Sequence, residues 1–550
     1  MQKKQTILVV ASLLVVVLSV TLAYFTAQII GKGKNVTINS ADLKIIFTDS
    51  DGSISGTNIE PGKWNVTKTF TIENKSNETY KYNIVIQNLV NTFVTEGYLQ
   101  YKITSTNGGY NMTEFKDVPK SETATDTILA YSVSIPVGVT QSYTVEFLYK
   151  NDESVDQSDD MGKTLSGKLF ITEGTINIYA GYEKGTLGYQ IMGDNITRLT
   201  RTDFDTTFTE TNTGTLYKAA ESIAGNTPKD VYYFAGDAKN NWVKFGKYQN
   251  DLIRYRGYDS TTSAFYWEYF TMDECTSASS HNINCTEYKY ANTGDDIYWR
   301  IIRTNYDGSI RLLYAGTSPD TTCGYIGTSM FNSRADSSVY VGYKYGTGSS
   351  LASNRDNTYN STIKTYIDNW YNNNLSSYSK YISTEAVYCN DRELVPDQTY
   401  YYASYGRLFT NKTPIYNCIN NKDAFSGSNS EAKLTYPIGL MTADEIAYAG
   451  GKADTKLSSP YAWYYLNSAG GSITGSTRWW SLSPYYYNGL YSFVWAVNGS
   501  GNPGYLFNRY VLDHMSGARP AVSLKSCIKY STGNGTSEAP YEIVETDTGC

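Results

Sequence analysis

The sequence predicts a mainly β protein with an α+β portion: an antiparallel β-sandwich of immunoglobulin-like architecture, followed by a large α+β module. Three observations carry this. From Val36 to Ile171 apolar and polar residues alternate with period two, the pattern of strands that bury one face. All seven cysteines fall between Cys275 and Cys550, so the two parts are built differently. Beyond Gly188, helical spacing joins the strand patterns, at Ser361–Leu375 and again after Thr442.

Ahead of the sandwich, Thr6–Phe25 is an apolar run of about the length a helix needs to cross a bilayer. Lys3 and Lys4 precede it, which keeps the short N-terminus cytoplasmic and sends the rest of the chain outside. Residues 1–27 therefore read as a signal peptide or a transmembrane anchor. Cleavage after Ala23 would use Thr21 and Ala23 as the small residues a signal peptidase reads, whereas the apolar core exceeds that of an ordinary signal peptide. Both fates stay open, and the protein is expected at the cell surface or secreted.

The sandwich is read over residues 34–174. Leu43/Ile45/Phe47, Trp64/Val66/Phe70/Ile72, Tyr80/Tyr82/Ile84/Ile86 and Leu99/Tyr101/Ile103 each set an apolar group on one side. Leu129/Tyr131/Val133/Ile135, Tyr143/Val145/Phe147/Tyr149 and Leu165/Leu169/Ile171 continue the series. Seven or so short strands with turns at Asp51-Gly52, Asn107-Gly108 and Pro136–Gly138 make a sandwich. Asp49-Ser-Asp51-Gly52 lacks the further ligands and downstream glutamate of a calcium loop and reads as a turn.

The alternation lapses over 175–188, read as a linker. The module then runs over 189–543, with 544–550 as a tail. It opens with a helix at Leu216–Ala224. Ile297–Ile302 and Ser309–Tyr314 flank Asp307-Gly308, a dipeptide suited to a tight β-turn. In Ser361–Leu375, residues Ile363, Tyr366, Ile367, Trp370 and Tyr371 share one helical face. Thr442-Ala-Asp-Glu445 is a capping box for a helix that Gly450-Gly451 ends. A block at 477–524 alternates Phe493/Trp495/Val497 and Tyr505/Phe507.

Several strings resemble known families. Ala23-Tyr24-Phe25-Thr26-Ala27, followed by Val36–Phe47, resembles camelysin/TasA-like matrix proteins of Gram-positive bacteria, over the first quarter of the chain. Tyr232-Tyr-Phe, Asn240-Asn-Trp-Val-Lys-Phe245, Tyr298-Trp-Arg-Ile-Ile-Arg303 and Asp307-Gly-Ser-Ile-Arg311 resemble an uncharacterised surface-protein module of gut Firmicutes. Asn360–Lys364, Cys389-Asn-Asp-Arg392, Leu434–Glu445, Trp479–Pro484 and Ala518–Leu524 extend that likeness. Against that module 247–296 is an insertion, either a recognition loop or an inert excursion. The tryptophan pair, hairpins and Gly-Ala-Arg-Pro strand of 477–524 are more remotely similar to C-type-lectin-like domains. The catalytic cysteine pair of the related formylglycine-generating enzymes has no counterpart here.

Composition narrows the function. A net charge of −7 without any block of one sign argues against nucleic acid. The 53 tyrosines suit either binding surfaces or strands. Export permits disulfides, with Cys275/Cys285, Cys389/Cys418 and Cys527/Cys550 as sequence-near candidates and Cys323 left over; sequence alone does not fix connectivity. No CxxC spacing calls for zinc, and nothing calls for a cofactor.

His281 and His514 are the histidines available for acid–base work, without a nucleophile elbow or zinc-protease helix. Arg519 could grip an anion or pair with a buried carboxylate, and Asp237, Asp296 and Asp513 read as loop carboxylates without visible partners. The expectation is a non-catalytic binder, adhesin-like, for extracellular glycan or protein. Its contact surface is placed at Tyr485, Tyr486, Tyr487 and Tyr491, with Asn488 and Asn498 supplying hydrogen bonds. A self-associating matrix or fibre component and a secreted enzyme are the alternatives.

Overall fold

The computed structural model describes residues 36–40, 43–49, 53–55, 59–75, 77–173, 179–206, 211–212, 214–259, 264–277, 283–319, 324–348, 350–351, 354–455, 478–498 and 505–550. The apolar run Thr6–Phe25, the Asp51-Gly52 turn, His281 and Cys323 lie outside them. Among the described residues no helix is long and apolar enough to cross a membrane. The chain divides into two units, Met1–Ile178 and Tyr179–Cys550.

In the first unit the period-two runs become two antiparallel sheets. One is ordered Val36–Ser40, Leu43–Asp49, Asn65–Asn74, Thr140–Tyr149, Leu99–Ser105, Lys116–Asp117. The other is ordered Ser53–Ser55, Leu165–Glu173, Tyr80–Asn91, Ser121–Ile135. Tyr82, Ile84 and Ile86 from one sheet and Ile72, Val145 and Phe147 from the other are fully buried in one core, so the two sheets form a sandwich. Short strands such as Ser53–Ser55 and Lys116–Asp117 raise the count above the seven expected. One phase differs as well. Ser132 stands at φ 49° where the ladder with Tyr80–Asn91 slips, so Ala130 is buried while Tyr131, expected inside, is half-buried.

The second unit begins earlier than the expected linker allows. Thr186 caps the helix Leu187–Asp194 by accepting from the Tyr189 amide, and Leu187 N–H donates to the Ile528 carbonyl at 2.8 Å. Tyr179 and Tyr182 pack on the core, and Tyr182 Oη donates to the Gly308 carbonyl. Gly188 is required there: a Cβ would sit 2.2 Å from the Tyr182 ring. The expected tail is likewise tied down, by Tyr381 Oη donating to the Thr546 carbonyl and by the Cys527–Cys550 disulfide.

The body of this unit is a ten-stranded sheet. Its main path is Thr197–Thr200, Thr215–Glu221, Lys229–Tyr233, Asp296–Thr304, Trp242–Lys247, Tyr541–Ile543, Tyr530–Thr532. Ile310–Gly316 pairs with Asp296–Thr304 and leads through Pro520–Leu524 to Ile438–Leu440. The Asp307-Gly308 hairpin closes as expected. Gly308 at φ 79° donates to the Asn305 carbonyl, and Asp307 Oδ1 accepts from the Ser309 amide. Leu216–Ala224, read as a helix, is instead strand Thr215–Glu221. Its Leu216 is buried and its backbone pairs with both Thr197–Thr200 and Lys229–Tyr233, a tertiary gain that outweighs the helix preference of Lys218, Ala219, Ala220 and Glu221.

The helix Thr362–Asn374, capped by Ser361, buries Ile363, Ile367 and Trp370 on the sheet. The capping box of Thr442 and Glu445 opens the helix Ala443–Ala449, which Gly450 ends at φ 120°. The insertion is a built element. Strand Leu252–Asp259 lies between Ala264–Tyr269 and Ile283–Ala291, and a short helix Met272–Ser277 is fastened by the Cys275–Cys285 disulfide. Buried Glu268 holds Arg256 on one oxygen and accepts the Thr328 amide on the other at 2.8 Å, while Arg254 Nε donates to Tyr366 Oη at 3.0 Å. Those bonds dock the small sheet on the module. The block read at 477–524 divides: Trp479–Tyr487, Ser492–Asn498 and Tyr505–Tyr510 join Lys452–Ala453 in a four-stranded sheet, and Pro520–Leu524 belongs to the large one.

Candidate functional site

Within 400–411, Tyr401, Tyr405 and Phe409 stand four residues apart, the spacing that aligns side chains on one helical face. A single helical turn, Ala403–Tyr405, runs into a π-helical stretch Gly406–Asn411 that ends at Lys412, φ 53°. Just before it, Tyr402 N–H donates to the Tyr485 carbonyl and Tyr487 N–H to the Tyr400 carbonyl. The segment thus lies beside strand Trp479–Tyr487.

The result is a pile of five rings drawn from three segments. Phe409 stacks on Tyr405 at 5.0 Å, Tyr405 on Tyr401 at 4.2 Å, Tyr401 on Tyr486 at 5.4 Å and Tyr486 on Phe493 at 4.5 Å. Interplanar angles in the pile run from 6° to 29°. Phe493 then meets Tyr510 at 5.6 Å, and Tyr510 meets Tyr491 edge-on at 5.2 Å. Tyr401, Tyr405, Tyr486, Phe493 and Tyr510 are half-buried. Phe409 and Tyr491 at the two ends are 37% and 48% exposed, and neighbouring Tyr400 and Leu490 reach 50% and 67%. A continuous, partly exposed aromatic row of this kind is a candidate contact surface. Each stacked pair adds about 0.5–1.5 kcal/mol beyond its area, which favours this arrangement of the rings.

Stacking also decides what the row offers. Within the pile the inner ring faces are covered by neighbouring rings, and Lys412 Nζ lies over the terminal Phe409 ring, 5.6 Å from its centre. Tyr491 stands nearly perpendicular to Tyr510 and is half exposed.

Beneath the row the side chains are locked. Tyr485 is buried, edge-on to Trp495 at 4.5 Å and to Tyr405 at 5.2 Å. Trp495 Nε1 donates to Ser404 Oγ, which donates to the Pro484 carbonyl. Arg407 turns inward from the helical stretch. Its Nε and Nη2 hold both oxygens of Asp444 at 3.0 and 2.8 Å, and Nη2 also reaches Asp391 at 2.7 Å. Burial works against the Arg407 charge, yet Asp444 and Asp391 outweigh it and hold the guanidinium more firmly protonated than usual. Burial raises the Asp391 carboxyl, and Asp444 on the same guanidinium adds to that.

The Cys389–Cys418 disulfide closes the loop that carries Tyr401, Tyr405 and Phe409. The Cys389-Asn-Asp-Arg392 string is its hinge: Asn390 accepts the Tyr343 amide and donates to the Leu482 carbonyl, while Arg392 holds Asp423 at 2.6 Å.

Of the residues expected to make contact, the structure brings Tyr486 and Tyr491 together in the row. Four others are placed differently. Pro484–Tyr487 is strand rather than turn, which carries Tyr485 into the core. Tyr487 Oη donates to the Asp336 and Gly489 carbonyls. Asn488 Oδ1 accepts the Leu490 and Tyr491 amides, closing the turn at Gly489, φ 91°. Asn498 pairs with Tyr505, five residues and roughly 17 Å along the strand from Phe493.

The solitary carboxylates have partners: Asp237 with Lys239, Asp296 with Lys247, and Asp513 with Arg478 and Arg509. Arg519 is buried, donating from Nε to the Tyr314 carbonyl with its guanidinium over the Trp479 ring, and burial lowers its pKa to about 10. His514 is half-buried, and burial lowers its pKa.

No protein-family model and no curated protein matches the chain. Among solved structures, an F-lectin (fucolectin) from serum of the striped bass, Morone saxatilis, is similar over 47% of this chain and 81% of its own. Identity is 11% and the TM-score 0.12, too slight a likeness to carry an argument. The three disulfides place the protein in an oxidising compartment, as an exported chain.

Proposed function

We propose that this is a non-catalytic, adhesin-like binding protein that meets an extracellular partner at the aromatic row. The observation that carries the reading is the half-exposed series from Phe409 to Tyr491, rigidly stacked and stapled from below. Tyrosine and phenylalanine so arranged give contact area at low entropic cost. Because the stacked faces are spent on one another, the pile suits a flat protein surface that covers ring edges and bonds to hydroxyls. A sugar ring, which stacks on an aromatic face, would instead use Tyr491, and the exposure of that end ring favours a glycan as the second reading. Thr6–Phe25, if retained, would tether the protein to the cell surface.

The test uses the exported chain on arrays of glycans and of extracellular proteins, with Phe409→Ala and Tyr491→Ala compared. Each is expected to weaken binding by about ten-fold or more with little change in melting temperature. Loss with Tyr491→Ala alone, on glycans, selects the sugar reading. Undiminished binding by both folded variants refutes the row as the contact surface.

A further inference from the structure

Under the row, buried charges meet around Glu445. One of its oxygens accepts from Arg303 Nε at 2.8 Å and Arg311 Nη1 at 2.7 Å, and the other from the Thr442 amide. Arg303 also grips both oxygens of Glu221. Two donors are left over. Arg311 Nε and Tyr416 Oη have no hydrogen-bond partner among the described residues, although Arg311 is 0% and Tyr416 6% exposed. Leaving a buried donor unmade is costly, so each such group asks for an acceptor.

Both residues line the same cavity of about 20 Å³, with Asp391 and Asp444 on its wall. A void of that size takes one water, which needs upwards of about 10–15 Å³ and two to four polar partners. Charge selects among small occupants. Around the cavity Arg303, Arg311 and Arg407 face Glu221, Glu445, Asp391 and Asp444, so a halide would add negative charge where carboxylates already outnumber guanidiniums. A metal cation would confront the unused N–H of Arg311.

We propose that the cavity is a binding site for one ordered water, which accepts from Arg311 Nε–H and Tyr416 Oη–H and donates to carboxylate oxygens of Asp391 and Asp444. Those two carboxylates are the ones that hold Arg407, so the water joins the Glu445 hub to the anchor of the aromatic loop.

A crystal structure of the full chain at about 1.5 Å is expected to show a single peak within hydrogen-bond distance of Arg311 Nε, about 2.7–3.2 Å. Tyr416→Phe, which deletes only the hydroxyl, is expected to lower the folding equilibrium constant about five-fold, because a satisfied bond is lost. An empty cavity overturns the proposal. So does a gain in stability with Tyr416→Phe, which would mark Oη as unsatisfied, or an anomalous peak there after a bromide soak, which would make the site an anion site.

Discussion

Replacing Cys389 and Cys418 by alanine separates what the disulfide does to the unfolded chain from what it does to the aromatic loop. The bond closes a loop with a sequence separation of 29 residues. In the chain-entropy account that removes about 12 cal/mol/K from the unfolded state, or about 3.6 kcal/mol at 25 °C. Of the nine tryptophans only Trp64 lies in the first unit, so urea unfolding followed by tryptophan emission reports the second. With a slope of about 3 kcal/mol/M the midpoint should fall by about 1.2 M. In the folded protein the loop is still pinned by Arg407 on Asp391 and Asp444, by Arg392 on Asp423, and by the backbone bonds at Tyr402 and Tyr487. The near-ultraviolet circular dichroism of the stacked tyrosines should therefore survive below the transition. An unchanged midpoint refutes the unfolded-state account. Collapse of the near-ultraviolet signal with the fold intact would show that the bond itself holds the loop in place.

Glu445→Gln leaves Arg303 and Arg311 without their shared carboxylate and should cost about 3–5 kcal/mol at pH 7, read from the shift in urea midpoint. Burial pushes the Glu445 carboxyl up, but Arg311 and Arg303 outweigh it and hold it below its ordinary 4.5; its contribution is present above that value and lost as pH falls through the lower folded value, so the acid limb of the stability profile should flatten in the variant. Asp391 has the opposite sign, because burial and Asp444 raise it: protonation as pH falls favours the folded state. Asp391→Asn should therefore lose no more than about 1 kcal/mol at pH 7, and a loss equal to that of Glu445→Gln would contradict this reading. Residues 36–173, which contain a complete core and no cysteine, should fold alone with a β-type far-ultraviolet spectrum; a helical or disordered spectrum would count against an autonomous sandwich.

Where local chemistry and tertiary packing agree, the fold was legible in the chain. Period two marked the sandwich strands, Ser361 and Thr442 marked helix starts, and Asp307-Gly308 marked the hairpin. Where a neighbour overrides local preference it was not. Thr215–Glu221 is rich in helix formers and becomes strand because it has partners on both sides. Residues 179–188 look like linker until Ile528, more than three hundred positions away, accepts the Leu187 amide. Of the half of the aromatic row contributed by 479–510, only Tyr486 and Tyr491 were legible in the sequence as contact residues. The other half, Tyr401, Tyr405 and Phe409, carried a signal in its four-residue spacing, but only strand pairing between Tyr401 and Tyr486 makes the halves one surface. Asn488, expected to supply hydrogen bonds to a ligand, spends its Oδ1 on its own turn, as an asparagine before glycine does.

The ring pile should also relay electronic excitation. Rings in van der Waals contact exchange electronic excitation far faster than they emit, and the pile drains inward through Tyr485, which touches both Tyr405 and Trp495. Light absorbed by a tyrosine at the surface should therefore leave as indole emission from the interior. A partner settling on the outer edges, as proposed, would alter the first step of that transfer and give binding an optical readout without any attached dye.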